Sequence, residues 1–331
     1  MNSFSNYLKK ILIFFIPLYI IVLTYIIFDP FKVIYTYDSY YENNKFEFTV
    51  INRDMASFET FKKFNPVIKY NSFIFGNSTS FYYRTTTWNK LIHSNQSMHL
   101  NASNESLYGE YVKLKYFEEN NIPIKNALII LDKSILNQVD PNQGILFMKH
   151  PEWNNTSKLA FHFEYLKAYF DRHFFFNYFN YKIFNYYNNT KQYHIWGYTA
   201  KNNELNDVFT EQLIKKDSIN YYKNVKPLFE KTTVKQHFSN QIIRENQQLL
   251  LRKMAKILSK KHTNFKIIIT PHSDQIKIAN SDLKKLEKIF KKKNVFDFSG
   301  KNWITNNIHN YYEPNHYKPY IADSILKIIY Q

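Results

Sequence analysis

Short apolar runs separated by stretches of helical periodicity restrict this chain's fold more than any other feature of it. The runs are residues 71–75 (NSFIF), 98–101 (MHLN), 126–131 (NALIIL), 265–270 (FKIIIT) and 295–298 (VFDF). The longest two do not alternate apolar with polar side chains, so strands built from them need cover on both faces. That is the signature of a parallel sheet between helices. Helices fit the intervals at 86–93, 105–120, 236–260, 282–292 and 319–330. Leu107, Tyr111, Leu114 and Phe117 recur at helical spacing, as do Leu250, Met254, Ile257 and Leu258. The expected class is therefore α/β. Residues 133–235 break the rhythm: they are crowded with aromatics and show no clear strand, which predicts a helical insertion over one edge of the sheet. A lid, a docking surface and a membrane-facing collar are all open roles for it, although aromatic stripes more often form core.

With 331 residues, 44% of them hydrophobic and 19% aromatic, the chain can bury a large core in one domain plus an insertion. It has no cysteine, which excludes disulfides, thiolate metal sites and cysteine nucleophiles. The net charge of +17 is spread along a chain rich in Lys, Asn, Ile, Tyr and Phe. It reads as general composition before it reads as an anion-binding patch. Lys291, Lys292 and Lys293 fall at a helix end, where cations suit the dipole. Only five glycines are present, and none forms a phosphate-cradling loop.

Residues 11–28 (ILIFFIPLYIIVLTYIIF) carry no charge and follow Lys9-Lys10. Their length suits one membrane-spanning helix, and the run is followed by Asp29-Pro30-Phe31-Lys32 rather than a small-residue cleavage site. The lysine pair predicts a cytoplasmic stretch at 1–10, an anchor at 11–28 and an extracytoplasmic remainder. Residues 29–69 read as a juxtamembrane segment. Residues 70–331 read as the α/β domain, with its insertion at about 133–235. Placement outside the cell argues against nucleic acid and ATP-driven chemistry.

The candidate chemistry lies at strand ends. Gly76-Asn77-Ser78 follows the first strand, beyond the carboxyl end where open α/β sheets bind ligands. A hydroxyl opening a helix there gains positive dipole, with backbone N–H groups nearby for an oxyanion. The competing role for Ser78, Thr79 or Ser80 is a simple N-cap. Near the C-terminus, residues 311–320 (YYEPNHYKPY) set Glu313 three positions before His316, so that a carboxylate can fix the imidazole tautomer. This pair follows the last strand and precedes the last helix, which would return it to the edge that carries Ser78. In a chain with eleven histidines, a plain surface histidine competes with that reading. Asp132 and His272 also fall at strand ends, and His272 could contact substrate. His162 and His173, with Glu164 and Asp171, lack metal-ligand spacing. No metal or cofactor is implied. Asn77-Ser78-Thr79 also fits a glycosylation acceptor pattern.

On these residues the chain resembles an SGNH/GDSL-type hydrolase, whose Gly-Asp-Ser motif follows the first strand and whose Asp-x-x-His motif lies near the C-terminus. Gly76-Asn77-Ser78 and Glu313-Pro314-Asn315-His316 stand at the matching places, with Asn for Asp and Glu for Asp. The likeness covers residues 70–135 and 260–331. With the anchor, it is similar to the membrane-bound branch that includes the D-alanyl-lipoteichoic-acid transfer and alginate O-acetylation proteins. The resemblance implies a flavodoxin-like fold and a Ser78–His316–Glu313 triad. It also implies an acylated glycan or polymer substrate, with a membrane-bound O-acyltransferase as partner. The family's second-block glycine is missing from residues 100–106 (LNASNES), and its Gly-x-Asn-Asp block is replaced by Asp132-Lys133-Ser134. Asn101 or Asn104 would have to supplement the Ser78 N–H in the oxyanion hole. A degenerate scaffold that binds a glycan or an acyltransferase without chemistry is the alternative.

Overall fold

The computed structural model describes residues 2–46, 48–186, 195–229 and 235–331. Five strands form one sheet: β1 (Ser72–Gly76), β2 (Ser97–Asn101), β3 (Asn126–Leu131), β4 (Asn264–Ile269) and β5 (Val295–Asp297). Every neighbouring pair is parallel, in the order β2-β1-β3-β4-β5. This matches the order of flavodoxin-like doubly wound sheets. Gly76 pairs with Asn101, Leu131 with Ile269, and Ile269 with Asp297, so the carboxyl ends line one edge.

All residues of β1, β2 and β3 are buried, which explains the unbroken apolar runs Phe73–Phe75 and Ala127–Leu131. On one face, Phe73, Phe75, Ile129 and Ile267 pack against α3 (Arg53–Ile68), α5 (Leu107–Glu119), α6 (Glu245–Lys260) and α7 (Asn280–Phe290). On the other, Ile74, Leu128, Ile130 and Ile268 meet α4 (Thr85–Ile92) and α8 (Pro319–Tyr330). The stretch read as juxtamembrane thus contains α3, whose Phe58 and Phe61 enter the core.

The helix expected over 236–260 begins only at Glu245. Asp282 of α7 accepts the N–H groups of Ile242 (2.6 Å) and Ile243 (3.1 Å), and His237–Phe238 pairs with Ile276–Lys277, so the approach is held extended. The insertion is largely helical, but it includes an antiparallel hairpin, Trp196–Thr199 with Glu204–Asp207.

The N-terminus forms two helices, α1 (Asn2–Phe14) and α2 (Ile16–Phe28), rather than the single one expected. Among the described residues no single helix is long and apolar enough to cross a membrane. The pair, bent by 49°, meets the requirement together by length and composition. Pro17 explains the break: it offers no N–H to the Ile13 carbonyl, and its ring crowds that group.

Candidate active site

The β1 exit is shaped by Gly76, whose φ is +156°. A Cβ there would meet Ser80 Cβ at 2.7 Å and Ile130 Cβ at 3.1 Å, so glycine alone turns out of the sheet without strain. Asn77 then caps a single 3₁₀ turn, Ser78–Ser80, accepting from Thr79 N at 2.9 Å and Thr79 Oγ1 at 2.8 Å. Its Nδ2 donates to Asp132 Oδ2 (2.6 Å) and Ser134 Oγ (3.3 Å), tying the exit of β1 to that of β3. Asn77 is thus a buried structural latch with its amide in use, which also removes it as a glycan acceptor. Ser80 Oγ donates to Asn77 O at 2.7 Å and lies 2.9 Å from His99 Nε2. Ser78 is half-buried. The turn is shorter than the helix expected after Ser78, so the serine gains no helix dipole.

The late loop forms a small antiparallel pair in which Glu313 stands opposite His316. Glu313 Oε1 pairs with His316 Nδ1. That bond holds the Glu313 carboxyl below its usual range, against the opposing effect of burial. His316 Nε2 is buried and has no hydrogen-bond partner, Ser78 included. The imidazole lies parallel to the Phe81 ring (6°, centroids 6.4 Å apart) and edge-on to Tyr82. Strand His316–Tyr317 packs on the Ser78–Ser80 turn.

Ser78, Glu313 and His316 therefore line one cavity of about 640 Å³. Arg53, Asn104, Trp196 and Asp207 line it too. The Arg53 guanidinium is clamped between Phe81 (3.9 Å) and Trp196 (4.5 Å). Burial pushes the Asp207 carboxyl up, while hydrogen bonds from Thr210 pull it back. Sequence reasoning missed Arg53, Trp196 and Asp207 because they come from α3 and the insertion hairpin, outside both stretches that carry the resemblance.

A second cavity of about 410 Å³ shares Ser78 and Asn104 and adds Asn77, Asp132, His272, Asp274 and Asn315. His272 Nε2 lies 2.7 Å from Asn315 Oδ1, and its Nδ1 lies 3.3 Å from Asp274 Oδ2. Burial lowers the His272 pKa, but Asp274 and Asn315 outweigh it, so the net direction is up. His272 thereby holds the turn between Glu313 and His316. Asp132 is consumed as a cap, accepting from Ile135 N (2.8 Å) and Ser134 Oγ (2.6 Å) as well as from Asn77. Asn101 is buried, with Nδ2 on Asn203 O at 3.3 Å and its carbonyl on Ser57 Oγ, away from the serine. Of the two asparagines considered for the oxyanion hole, only Asn104 reaches the cavity; its backbone is left-handed (φ +48°) and its side chain exposed. Among the described residues no three His, Asp or Glu side chains converge on a metal-sized point. No protein-family model and no curated protein sequence matches the chain.

Proposed function

We propose that this chain is a membrane-anchored, extracytoplasmic serine O-acyl esterase or O-acyltransferase of SGNH type, acting on an acylated cell-surface polysaccharide or related polymer. One observation carries the reading. Glu313 occupies Nδ1 of His316, while Nε2 is left without a partner in a residue that shares a cavity with Ser78. A carboxylate on one imidazole nitrogen and a vacant second nitrogen is the half-assembled state of a serine site.

In that reading Ser78 Oγ attacks the acyl carbonyl while its proton passes to His316 Nε2. The bond to the leaving alcohol breaks, and the alcohol takes that proton. The acyl-serine is then cleaved by water, giving hydrolysis, or by a sugar hydroxyl, giving transfer. Each second-step nucleophile gives its proton to His316, which passes it to Ser78 Oγ as the acyl–serine bond breaks, restoring the free serine. Glu313 fixes the tautomer and supports the imidazolium, and Asn104 is the side-chain donor at hand for the oxyanion. The anchor is the bent α1–α2 pair, with the Lys9-Lys10 end cytoplasmic.

A second reading, a non-catalytic scaffold for a glycan or an acyltransferase, is favoured by the missing Ser78–His316 hydrogen bond and by the sparse oxyanion donors. The full chain in detergent, treated with a fluorophosphonate probe and 4-nitrophenyl acetate, separates the two. Labelling at Ser78, with turnover falling about 100-fold or more in both Ser78→Ala and His316→Ala, is expected for the enzyme. A folded chain that is neither labelled nor active supports the scaffold instead.

A further inference from the structure

We propose that the two aromatic helices of the insertion, Lys158–Tyr169 and Arg172–Phe184, lie in the membrane interface as a collar around the end of α2, so that the partner of their exposed apolar surface is the lipid bilayer. The inference rests on the anchor reading above and adds a second membrane-contacting surface to it.

Depth is the first support. Residues 12–20 are exposed all round, as lipid-facing positions would be. From Ile21 onward one side of α2 is covered. Tyr169 OH bonds to Thr24 Oγ1 (3.1 Å), the Tyr25 and Tyr169 rings are 5.3 Å apart, and Phe28 meets Tyr178 and Phe179. Thr24 lies four residues before the end of the apolar stretch. At 1.5 Å per residue that is about 6 Å inside it, a depth typical of interfacial helices.

Surface chemistry is the second. The faces turned inward bury Phe161, Tyr165 and Tyr178, yet both helices also expose large apolar groups. Phe163 is 59% exposed, Phe176 61% and Phe184 72%, with Leu159 and Ile183 beside them. Aqueous surfaces rarely concentrate such groups. Lys158, Lys167, Arg172 and Lys182 sit on the same helices against only Glu164 and Asp171, and this mix of aromatic and basic residues suits a headgroup region.

Rigidity is the third. Asp29 ends α2 in a left-handed conformation (φ 36°). Its buried carboxylate accepts from Val33 N (2.8 Å), Ile34 N (2.9 Å), Tyr35 N (3.1 Å) and Tyr37 OH (2.9 Å). The chain therefore leaves α2 through a hydrogen-bonded knot over residues 29–37, and the ring contacts of Tyr25 and Phe28 tie the collar to α2 beside it.

Because the chain lacks cysteine, single environment-sensitive labels test this in the full protein, reconstituted in phosphatidylcholine–phosphatidylglycerol vesicles. Labels go on Phe163→Cys, Phe176→Cys and Phe184→Cys, with Leu18→Cys in the anchor and Lys256→Cys and Lys288→Cys on α6 and α7. Nitroxide lipids are expected to quench Leu18→Cys and the three collar labels, which aqueous iodide leaves bright; iodide is expected to quench only the α6 and α7 labels. Collar labels that iodide quenches and lipid does not, with Leu18→Cys quenched by lipid, sink the collar and leave the anchor standing. Collar labels shielded from both quenchers also overturn it, because a protein surface then covers them. A Leu18→Cys label that lipid does not quench overturns anchor and collar together.

Discussion

His99 lies fully buried beneath the Ser78 turn, with Nε2 on Ser80 Oγ and Nδ1 without a partner. Burial first, then the charges of Lys113 and Arg53, push its pKa down from 6.5 to about 3. The folded state thus refuses a proton that the unfolded chain accepts below pH 6.5. The stabilisation is complete above that value and drains by about 1.4 kcal/mol per pH unit as pH falls toward about 3. Replacing it by His99→Gln should flatten the stability profile between pH 7 and pH 5, read by urea denaturation of both proteins. Equal slopes would remove His99 as the cause. At this scale the sequence showed residue types but not where side chains are spent. Gly76, Ser78, Glu313 and His316 announced themselves through spacing. Asn101 and Asp132 also stood at strand ends and turned out committed to Asn203 and to the 133–137 cap. Asn203 lies 102 residues further along the chain, and no local pattern carries that contact.

Elements were legible where burial dictates the sequence. The β3 and β4 runs are continuous because helices cover both faces. The start of α6 was not, because a carboxylate from α7 sets it, and the insertion hairpin shows no alternation to read. One arrangement between elements had no sequence signal at all. Asp54 of α3 meets Lys113 of α5 (3.2 Å) and Lys149 of the insertion (3.0 Å), and Glu105 pairs with both lysines, all out of water. Gly109 makes room, since a Cβ there would fall 1.9 Å from Glu105 Oε1. Removing one partner with Lys149→Met should cost about 3–5 kcal/mol by leaving a buried charge uncompensated. Glu110 sits inside the same cluster with neither oxygen bonded, and burial and then Glu105 push its carboxyl upward. Its folded state holds a proton that the unfolded chain releases above the ordinary value of 4.5, so its contribution falls as pH rises. Glu110→Gln should therefore raise the thermal midpoint at neutral pH and leave it little changed near pH 4. A fall at neutral pH would show that Glu110 is charged there.

For the whole molecule, the layered sheet and the N-terminal hydrophobic stretch could be read from composition and period. The joining of α2, the insertion and the Ser78 cavity could not. Arg53 shows why: it opens α3 yet stacks on Phe81 after β1 and on Trp196 of the insertion, contacts that only the folded chain brings together. The knot at Asp29 belongs to this scale. Asp29→Ala should loosen the turn that joins α2 to the domain while the ring contacts between α2 and the collar remain, so that a label on Phe163→Cys loses part of its lipid quenching while 4-nitrophenyl acetate turnover stays unchanged. Retained quenching would show that the collar holds without the knot. If the knot governs and the proposed acyl chemistry and anchor hold, the cavity works at one altitude above the bilayer, like a gauge set on a fixed post. A polymer would then be processed only where its acyl group passes that height. Chain length and distance from the membrane would select the substrate before any contact inside the cavity does.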